Sequence, residues 1–287
     1  MNMNHNIENR RIVIQGIAGA FHEIAAKHFY PDNLLEIIPS NSFEGLIEST
    51  KNRDLADCGI MAIENTIAGS ILNNYSLIRQ SDLSITGELY LRIKQNLLAL
   101  KGQQISDLIE VHSHPMAIAQ CRPFFKKYPK IKLIETEDTA QSAKFIFDNK
   151  LKGIGAIASS IAAEQYNLEI LAESIETNKE NYTRFLILEK KNGRFIKNEY
   201  NKISVCFSLK HEVGTLHQVL AGLAENNANL TKIQSVPIIG QSWHYLFFID
   251  YVLQNPSDFE KTIKTIELQT EELQILGRYQ TGKHYDD

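Results

Sequence analysis

Short apolar runs alternate along the chain with longer segments in which apolar residues recur every three or four positions. Residues 11–15 form a β-branched run that ends at Gly16, and residues 20–29 then show helical spacing. Residues 58–63 and 154–158 are further apolar strand candidates with helical patterns around them. Strands that alternate with helices predict an α/β fold with parallel sheets and helices on both faces.

The pattern changes near residue 190. Residues 189–202 are polar and charged, which predicts a linker or an exposed hairpin. Beyond them Ile203, Val205, Phe207 and Leu209 alternate with polar residues, as in a half-buried strand. The remaining elements predicted for this part are a helix over 216–223, strands over 229–233 and 243–251, a helix over 259–268 and a strand over 273–279. The order βαββαβ is that of a ferredoxin-like domain.

Composition excludes several classes of protein. The net charge is -4 and no basic run is present, which disfavours a nucleic-acid or membrane-surface partner. The widely spaced Cys58, Cys121 and Cys206 predict neither a disulfide framework nor a zinc site. Residues 1–10 are polar and lack the apolar centre of a signal peptide, so we expect a cytoplasmic protein.

Two polar clusters follow predicted strands in the first part of the chain. Residues 16–22 form a glycine-containing turn before a helix, where backbone N–H groups can bind an oxyanion. Taken by itself, this turn is better explained as a plain strand–helix connection. Residues 64–70 crowd a carboxylate, an amide and two hydroxyls at a strand exit, the edge where α/β sheets bind ligands. Helix capping explains one of these residues but not the whole cluster.

Two more clusters lie further along the chain. In residues 112–116, Pro115 suits the first turn of a helix, and a ligand-orienting histidine and a structural cap are equally plausible there. In residues 181–185, Thr183 offers a hydroxyl donor and Arg184 a fork that can grip a carboxylate, with an internal ion pair as the equal alternative for Arg184. The residues predict a two-lobed α/β domain that binds a small anion, followed by a ferredoxin-like domain.

The same clusters resemble the signatures of the prephenate dehydratase family. Residues 16–21 are similar to its Gly-x-x-Gly-[Ser/Thr]-Phe turn, and residues 63–70 to its Ile-Glu-Asn-Ser-x-x-Gly-Ser segment. Residues 114–121 resemble its His-Pro-Gln-Ala-x-Ala-Gln-Cys segment, and residues 181–185 match its Asn-x-Thr-Arg-Phe segment. The resemblance covers about residues 10–280. It implies a periplasmic-binding-protein-like catalytic domain over 10–190, with lobes at 10–83 plus 170–190 and at 84–169.

The part over residues 200–280 resembles the family's ACT regulatory domain. Residues 214–216, 229–233 and 243–245 carry this resemblance. It implies that phenylalanine binds where two subunits pair, in a homodimer or homotetramer. The effector-binding residues implied are Gly214, Thr215, Leu216, Asn229, Leu230, Gln234 and Ser235.

The chain departs from the family pattern at several positions. Ala20 replaces a hydroxyl residue, His22 stands where another hydroxyl is common, and Met116 replaces a glutamine. Gln234 and Val236 stand where the ACT pattern has two charged residues, so this segment lacks both charges.

The resemblance implies decarboxylation and dehydration of prephenate to phenylpyruvate, with no metal or organic cofactor. Thr183 is the implied catalytic residue, which donates a hydrogen bond to the departing hydroxyl. The substrate-binding residues implied are Gly19, Ala20, Asn65, Thr66, Ser70, His114, Arg184 and Phe185. Two alternatives stay open: an arogenate dehydratase, whose substrate differs by an amino group, and a non-catalytic ligand sensor.

Overall fold

The computed structural model describes residues 9–191 and 200–286, which form an α/β structure. The strands are β1 (Asn9–Gln15), β2 (Leu34–Ser40), β3 (Cys58–Asn65), β4 (Gly69–Ser70), β5 (Leu83–Arg92), β6 (Asn96–Leu100), β7 (Glu110–Ser113), β8 (Lys132–Glu135), β9 (Ile154–Ala158), β10 (Leu168–Ala172), β11 (Tyr182–Lys190), β12 (Lys202–Ser208), β13 (Ala228–Pro237), β14 (Tyr245–Leu253), β15 (Glu272–Tyr279) and β16 (His284–Tyr285). The helices are α1 (Phe21–Phe29), α2 (Phe43–Lys51), α3 (Leu72–Gln80), α4 (Pro115–Phe125), α5 (Thr139–Asp148), α6 (Ser160–Gln165), α7 (Thr215–Glu225) and α8 (Phe259–Glu267), with 3₁₀ turns at Ile105–Asp107 and Pro256–Asp258.

The chain divides into two compact units. Unit 1 contains the described residues of Met1–Ser70, Tyr90–Phe185 and His284–Asp287. Unit 2 contains those of Ile71–Leu89 and Leu186–Lys283. Strands β5 and β11 therefore contribute residues to both units. The predicted domain boundaries at residues 190 and 200 remain a prediction, and most of the predicted linker, residues 192–199, lies outside the described residues.

In unit 1, the strands β1, β2 and β3 lie side by side, and the polar residues 64–70 follow from the end of β3. β1 lies between β2 and β3 and runs parallel to both, as the alternation of strands and helices predicted. Ile12, Val13 and Ile14 are fully buried in β1, because a parallel strand covered on both faces reads as a continuous apolar run. The first residues of β11 lie beside β3, and β4 pairs with the end of β3.

The second sheet of unit 1 has the order β10-β6-β9-β7-β8. β7 runs parallel to β8 and β9, whereas β6 runs antiparallel to both β9 and β10. The sequence predicted parallel sheets, whereas this sheet is mixed because β6 runs antiparallel to both of its neighbours. Alternate residues of β6 enter different cores, with Leu97 packed beside α4 and Leu98 packed beside α5 and α6.

Unit 2 contains the elements β12, α7, β13, β14, α8 and β15 in that order along the chain. Its strands pair as β13-β14-β12-β15, all antiparallel, and β5 continues this sheet beside β15. α7 and α8 pack against the sheet through Val219, Leu223, Phe259 and Ile266, which are nearly inaccessible to solvent. The element order predicted for this part of the chain is confirmed.

One helix of unit 2 was not predicted, and one local prediction is wrong there. Helix α3 was not predicted, because Asn73, Asn74 and Ser76 give it a weak helical signal. Trp243 was expected at the start of a strand, but it lies in the preceding turn with φ +65° and is 75% exposed. β14 begins at Tyr245 instead.

Candidate active site

The Thr183 side chain lies at the start of β11 in a nearly buried position. The residue is 8% exposed, and its neighbours Arg184 and Phe185 are also buried. Because successive strand residues point to opposite faces, Thr183 and Phe185 share one face of β11 and Arg184 lies on the other. Thr183 and Arg184 were predicted to act on one ligand, but their side chains therefore point to opposite faces of β11.

Asn65, the last residue of β3, connects Thr183 to the loop that follows β3. Its Nδ2 amide donates to Thr183 Oγ1 at 3.0 Å, to Asn181 Oδ1 at 2.8 Å and to the Tyr182 carbonyl at 3.2 Å. Its Oδ1 accepts from the N–H groups of Ile67 and Ala68, both at 2.9 Å. One side chain thus fixes both the loop and the hydroxyl of Thr183.

This bond constrains what the Thr183 hydroxyl can do. A hydroxyl has one proton to donate and two lone pairs that accept, and Asn65 occupies one of the lone pairs. Among the described residues, the structure gives the Thr183 proton no acceptor within the chain. This proton is therefore available to a partner outside the described residues, and donation to a ligand stays a prediction.

Gln120 on α4 is a member of this cluster that was not singled out from the sequence. Its Oε1 accepts from Asn181 Nδ2 at 3.0 Å, and its backbone carbonyl accepts from the N–H and the hydroxyl of Thr177. Asn181 is fully buried. The available signal was the 114–121 segment itself, in which Gln120 matches the family pattern at the position before Cys121.

His22 lies on α1 beside the same face of β11. Its Nε2 accepts from the backbone N–H of Ala62 at 3.3 Å, and its ring meets Phe185 edge-on with centroids 5.0 Å apart. Burial lowers the pKa of His22 from 6.5 to about 4. The imidazole is therefore neutral near pH 7, as the bond from Ala62 requires.

In the turn before α1, the backbone N–H and carbonyl of Gly19 are hydrogen-bonded to side chains of the chain itself. Gly19, with φ +90°, donates its N–H to Glu23 Oε2 at 2.8 Å, and its carbonyl accepts from Ser159 Oγ at 2.6 Å. A Cβ at Gly19 would lie 3.0 Å from the Cα of Ala162, so this close approach to α6 requires glycine. The predicted binding of a substrate carboxylate by the Gly19 N–H requires Glu23 to move, and it stays a prediction.

Ala20 precedes α1 as its N-terminal cap residue. It is buried, with extended backbone angles, and it has no side-chain bond to the helix. The alanine therefore leaves the cap without the hydroxyl that the family pattern has at this position.

Thr66 and Ser70 lie on either side of the loop after Asn65. Thr66 Oγ1 donates to the carbonyl of Glu180 at 2.9 Å and accepts from the N–H of Tyr182 at 3.0 Å. Ser70 belongs to β4 and pairs with Glu64. Thr66 thus holds the strand entrance, that is residues 180–182 at the start of β11, next to Thr183.

His114 serves as the cap of α4. Its Nδ1 accepts from the N–H of Met116 at 3.2 Å, and Pro115 occupies the first helical position. The capping alternative for His114 is therefore realised in the structure, and a contact with substrate stays a prediction.

The residues predicted to bind an effector lie in unit 2. Gly214, with φ +88°, precedes α7, and Thr215 Oγ1 donates to the carbonyls of Lys210 and Glu212. Thr215 and Leu216 line a cavity of roughly 90 Å³ together with Trp243 and its neighbours. The other four, Asn229, Leu230, Gln234 and Ser235, lie along β13.

Three further features concern the cysteines, possible metal ligands and the length of the apolar helices. Cys58, Cys121 and Cys206 are buried, and none of the three is in a disulfide. Within residues 9–191 and 200–286, no three His, Cys, Asp or Glu side chains are grouped as metal ligands. None of the helices in the described parts of the chain is long and apolar enough to cross a membrane.

Solved structures with this fold include two that align over nearly the whole chain. A prephenate dehydratase from Arthrobacter aurescens, in complex with L-Phe, superposes with a TM-score of 0.83 at 26% identity and covers 94% of this chain and 90% of its own. GqqA, a quorum-quenching acylase, superposes with a TM-score of 0.86 at 27% identity and covers 95% of this chain and 98% of its own.

Sequence relatives define the family. The chain is 36% identical over 280 residues to a prephenate dehydratase from Methanocaldococcus jannaschii, which covers 94% of this chain and 98% of that protein. It is 38% identical over 255 residues to arogenate dehydratase 2 from Petunia hybrida, which covers 84% of this chain and 64% of that protein. The family model for prephenate dehydratase matches residues 12–193. The chain belongs to the prephenate dehydratase family.

Proposed function

We propose that this protein converts prephenate into phenylpyruvate, carbon dioxide and water. The bond from the ring to its carboxylate breaks, and the electron pair forms a ring double bond. The carbon–oxygen bond across the ring breaks as well, and the hydroxyl leaves with the bonding electron pair, hydrogen-bonded by Thr183, and becomes water by taking one proton from the solvent. Aromatisation drives the reaction, so the difficult part is the departure of a poor leaving group.

The observation that carries this proposal is the bond from Asn65 to Thr183. It leaves the Thr183 proton available for the departing hydroxyl. A threonine hydroxyl is too weak an acid to be ionised near pH 7, so Thr183 acts through a hydrogen bond that strengthens in the transition state. Asn181 and Gln120 hold Asn65 and the strand entrance in place.

The test is an assay of the purified protein with prephenate, with phenylpyruvate detected by its ultraviolet absorbance. We expect turnover with no added metal or cofactor. Arogenate is the second substrate, measured under the same conditions, because arogenate dehydratases are among the relatives. A higher kcat/KM for arogenate would reassign the substrate, and no turnover of either would favour a ligand sensor.

We also propose that unit 2 contains an ACT domain through which phenylalanine controls turnover. Its βαββαβ order and the antiparallel sheet β13-β14-β12-β15 support this assignment. The relative crystallised with L-Phe supports the choice of effector. Binding can act only by a difference in affinity between two conformations of the enzyme.

The effector site is proposed where two copies pair along β13 and the start of α7. β13 is the last strand of its sheet, and Ile233 on it is 41% exposed, which suits pairing with another chain. Calorimetry with phenylalanine tests this site, and sedimentation tests the homodimer or homotetramer. Because Gln234 and Val236 lack the charges of the family pattern, absence of binding at millimolar phenylalanine would show that the site is lost.

A cytoplasmic location completes the proposal. Cys58, Cys121 and Cys206 form no disulfide, which supports a reducing compartment. Fractionation of the source cells tests it.

A further inference from the structure

A short segment, residues 284–286, contacts the strand that carries Thr183. Within unit 1, β16 runs parallel to the end of β5, with His284 opposite Tyr90 and Tyr285 opposite Leu91. The preceding residues of the chain, up to Lys283, belong to unit 2. The segment is therefore the point at which the chain returns to unit 1 after β15.

Aromatic contacts hold this segment against unit 1. The His284 ring stacks on Tyr90, with centroids 4.5 Å apart and planes 6° apart, and it meets Tyr182 edge-on at 5.5 Å. Tyr285 stacks on His28, in the last turn of α1, at 4.5 Å. Stacked and edge-to-face pairs are the favourable geometries for such rings. The segment thus contacts both α1, which carries His22, and β11, which carries Thr183.

A hydrogen bond reaches the residue next to Thr183. The Tyr182 hydroxyl donates to Asp286 Oδ1 at 2.5 Å. This bond raises the pKa of the Tyr182 phenol above its ordinary value. Bonds to an ionised carboxylate are shorter and stronger than bonds between neutral groups.

The backbone of Tyr182 is held by the loop after β3. Its N–H donates to Thr66 Oγ1 at 3.0 Å, and its carbonyl accepts from the N–H of Thr66 at 2.9 Å and from Asn65 Nδ2 at 3.2 Å. The side chain of Tyr182 is held by residues 284–286. Tyr182 is therefore held by two separate segments, and Thr183 is the next residue of β11.

We propose that residues 284–286 form a positioning segment that sets the placement of Thr183 through the side chain of Tyr182. The proposal rests on the function proposed above for Thr183. It also defines a covalent route by which a change in unit 2 can reach the candidate active site, because β15 leads directly into this segment.

The first test compares Tyr182→Phe, Asp286→Ala and Asp286→Asn in the full-length protein. We expect Tyr182→Phe and Asp286→Ala each to lower kcat for prephenate about three- to tenfold, with KM changed less than about twofold. Asp286→Asn keeps an oxygen that accepts from the phenol, so its kcat should stay within about twofold of wild type. The Tyr182→Phe/Asp286→Ala double variant should be no slower than either single variant, because both remove the same bond.

The second test needs no substrate. Amide hydrogen exchange of residues 181–185 should become faster in Tyr182→Phe and Asp286→Ala and remain at the wild-type rate in Asp286→Asn. This measurement reports the order of the strand entrance directly. It separates the positioning segment from the chemistry assigned to Thr183.

Three results would overturn the proposal. One is wild-type kcat in both Tyr182→Phe and Asp286→Ala in a protein that turns prephenate over. Another is an Asp286→Asn variant as slow as Asp286→Ala, and the third is unchanged exchange in residues 181–185. If exchange responds as expected but wild-type protein turns over neither prephenate nor arogenate, the proposed function fails and the positioning of the strand stands.

Discussion

The Nδ2 amide of Asn65 and the hydroxyl of Thr183 are joined by a hydrogen bond of 3.0 Å, in which Thr183 is the acceptor. The direction of this bond matters because an acceptor role for the oxygen leaves its proton for another partner. Asn65 itself is oriented by the N–H groups of Ile67 and Ala68, which bind its oxygen. The amide cannot rotate by 180° without losing both bonds.

Substitution of Thr183 tests the proposed donor. Thr183→Ala should lower kcat by about 10²–10³, the usual effect of removing one preorganised donor. Thr183→Ser keeps the hydroxyl and should retain most of the activity. Phenylpyruvate formation under saturating prephenate measures both, and a Thr183→Ala enzyme within about threefold of wild type would exclude the donor role.

Substitution of Asn65 separates orientation of the hydroxyl from support of the loop. Asn65→Asp keeps an oxygen for Ile67 and Ala68 but lacks the donor to Thr183, and its carboxylate would accept the Thr183 proton. We expect a fall in kcat of about 10² or more. Thermal stability should fall as well, because Asn181 Oδ1 and the Tyr182 carbonyl would face a carboxylate oxygen in place of an N–H donor.

Asn65→Ala is the matched control, because it removes both functions. It should lower kcat similarly and also reduce the free energy of unfolding by about 1 kcal/mol. An Asn65→Asp enzyme with wild-type kcat would show that the direction of the bond is irrelevant to catalysis.

Because the pKa of the buried His22 is lowered, we expect the free energy of unfolding to fall in mild acid. Burial lowers its pKa from 6.5 to about 4, so the unfolded chain binds this proton below about pH 6.5 and the folded protein only below about pH 4. Between these values the unfolded state carries more protons, and the free energy of unfolding falls as the pH falls. The His22 contribution is complete above pH 6.5, and about 3 kcal/mol of it is lost by pH 4.

His22→Gln provides the comparison for this titration. Its amide oxygen can accept from the N–H of Ala62, but it does not titrate. Chemical denaturation of both proteins at pH 7 and pH 4 should show that wild type loses about 3 kcal/mol more than the variant. Equal losses would show that His22 is not the titrating group.

The buried ion pair in unit 2 gives a further prediction. Lys202 Nζ lies 2.8 Å from Glu88 Oε1 and 3.0 Å from Oε2, and both side chains are almost fully buried. Lys202→Met leaves the Glu88 carboxylate without its buried partner and should destabilise the protein by about 3–5 kcal/mol.

The Glu88→Gln/Lys202→Met double variant removes both charges and keeps an acceptor for the N–H of Gly282. It should recover most of the stability lost in Lys202→Met, as measured by urea denaturation. A double variant as unstable as Lys202→Met would contradict the role assigned to the unpaired charge.

Much of the fold follows from local patterns. The runs at 11–15 and 154–158 predict β1 and β9 because buried parallel strands are rich in apolar residues. Helix α3 was missed because its asparagines disfavour a helix, whereas Tyr75 and Ile78 stabilise it through tertiary burial that no local pattern reports.

In the candidate site too, some features could be predicted from local sequence and others depend on tertiary contacts. Asn65 and Thr183 each belong to a recognisable motif, so both could be singled out from the sequence, but the bond between them and its direction could not. The contact between Asn181 and Gln120 joins residues 61 positions apart and depends on how α4 meets β11. The bond from Gly19 to Glu23 competes with the anion site predicted at this turn, since an acidic residue four positions on supplies its own carboxylate.

Glu88 also constrains the backbone at Gly282, through a hydrogen bond and a close steric contact. The Glu88 carboxylate accepts from the N–H of Gly282 at 3.0 Å, and a Cβ at Gly282 would lie 2.4 Å from the backbone oxygen of Glu88. Only a hydrogen atom fits at this crossing, so every substitution there displaces the residues that follow. The close packing of Gly282 against Glu88 thus fixes the course of the backbone two residues before His284, and a larger residue at position 282 would disturb the contacts of residues 284–286.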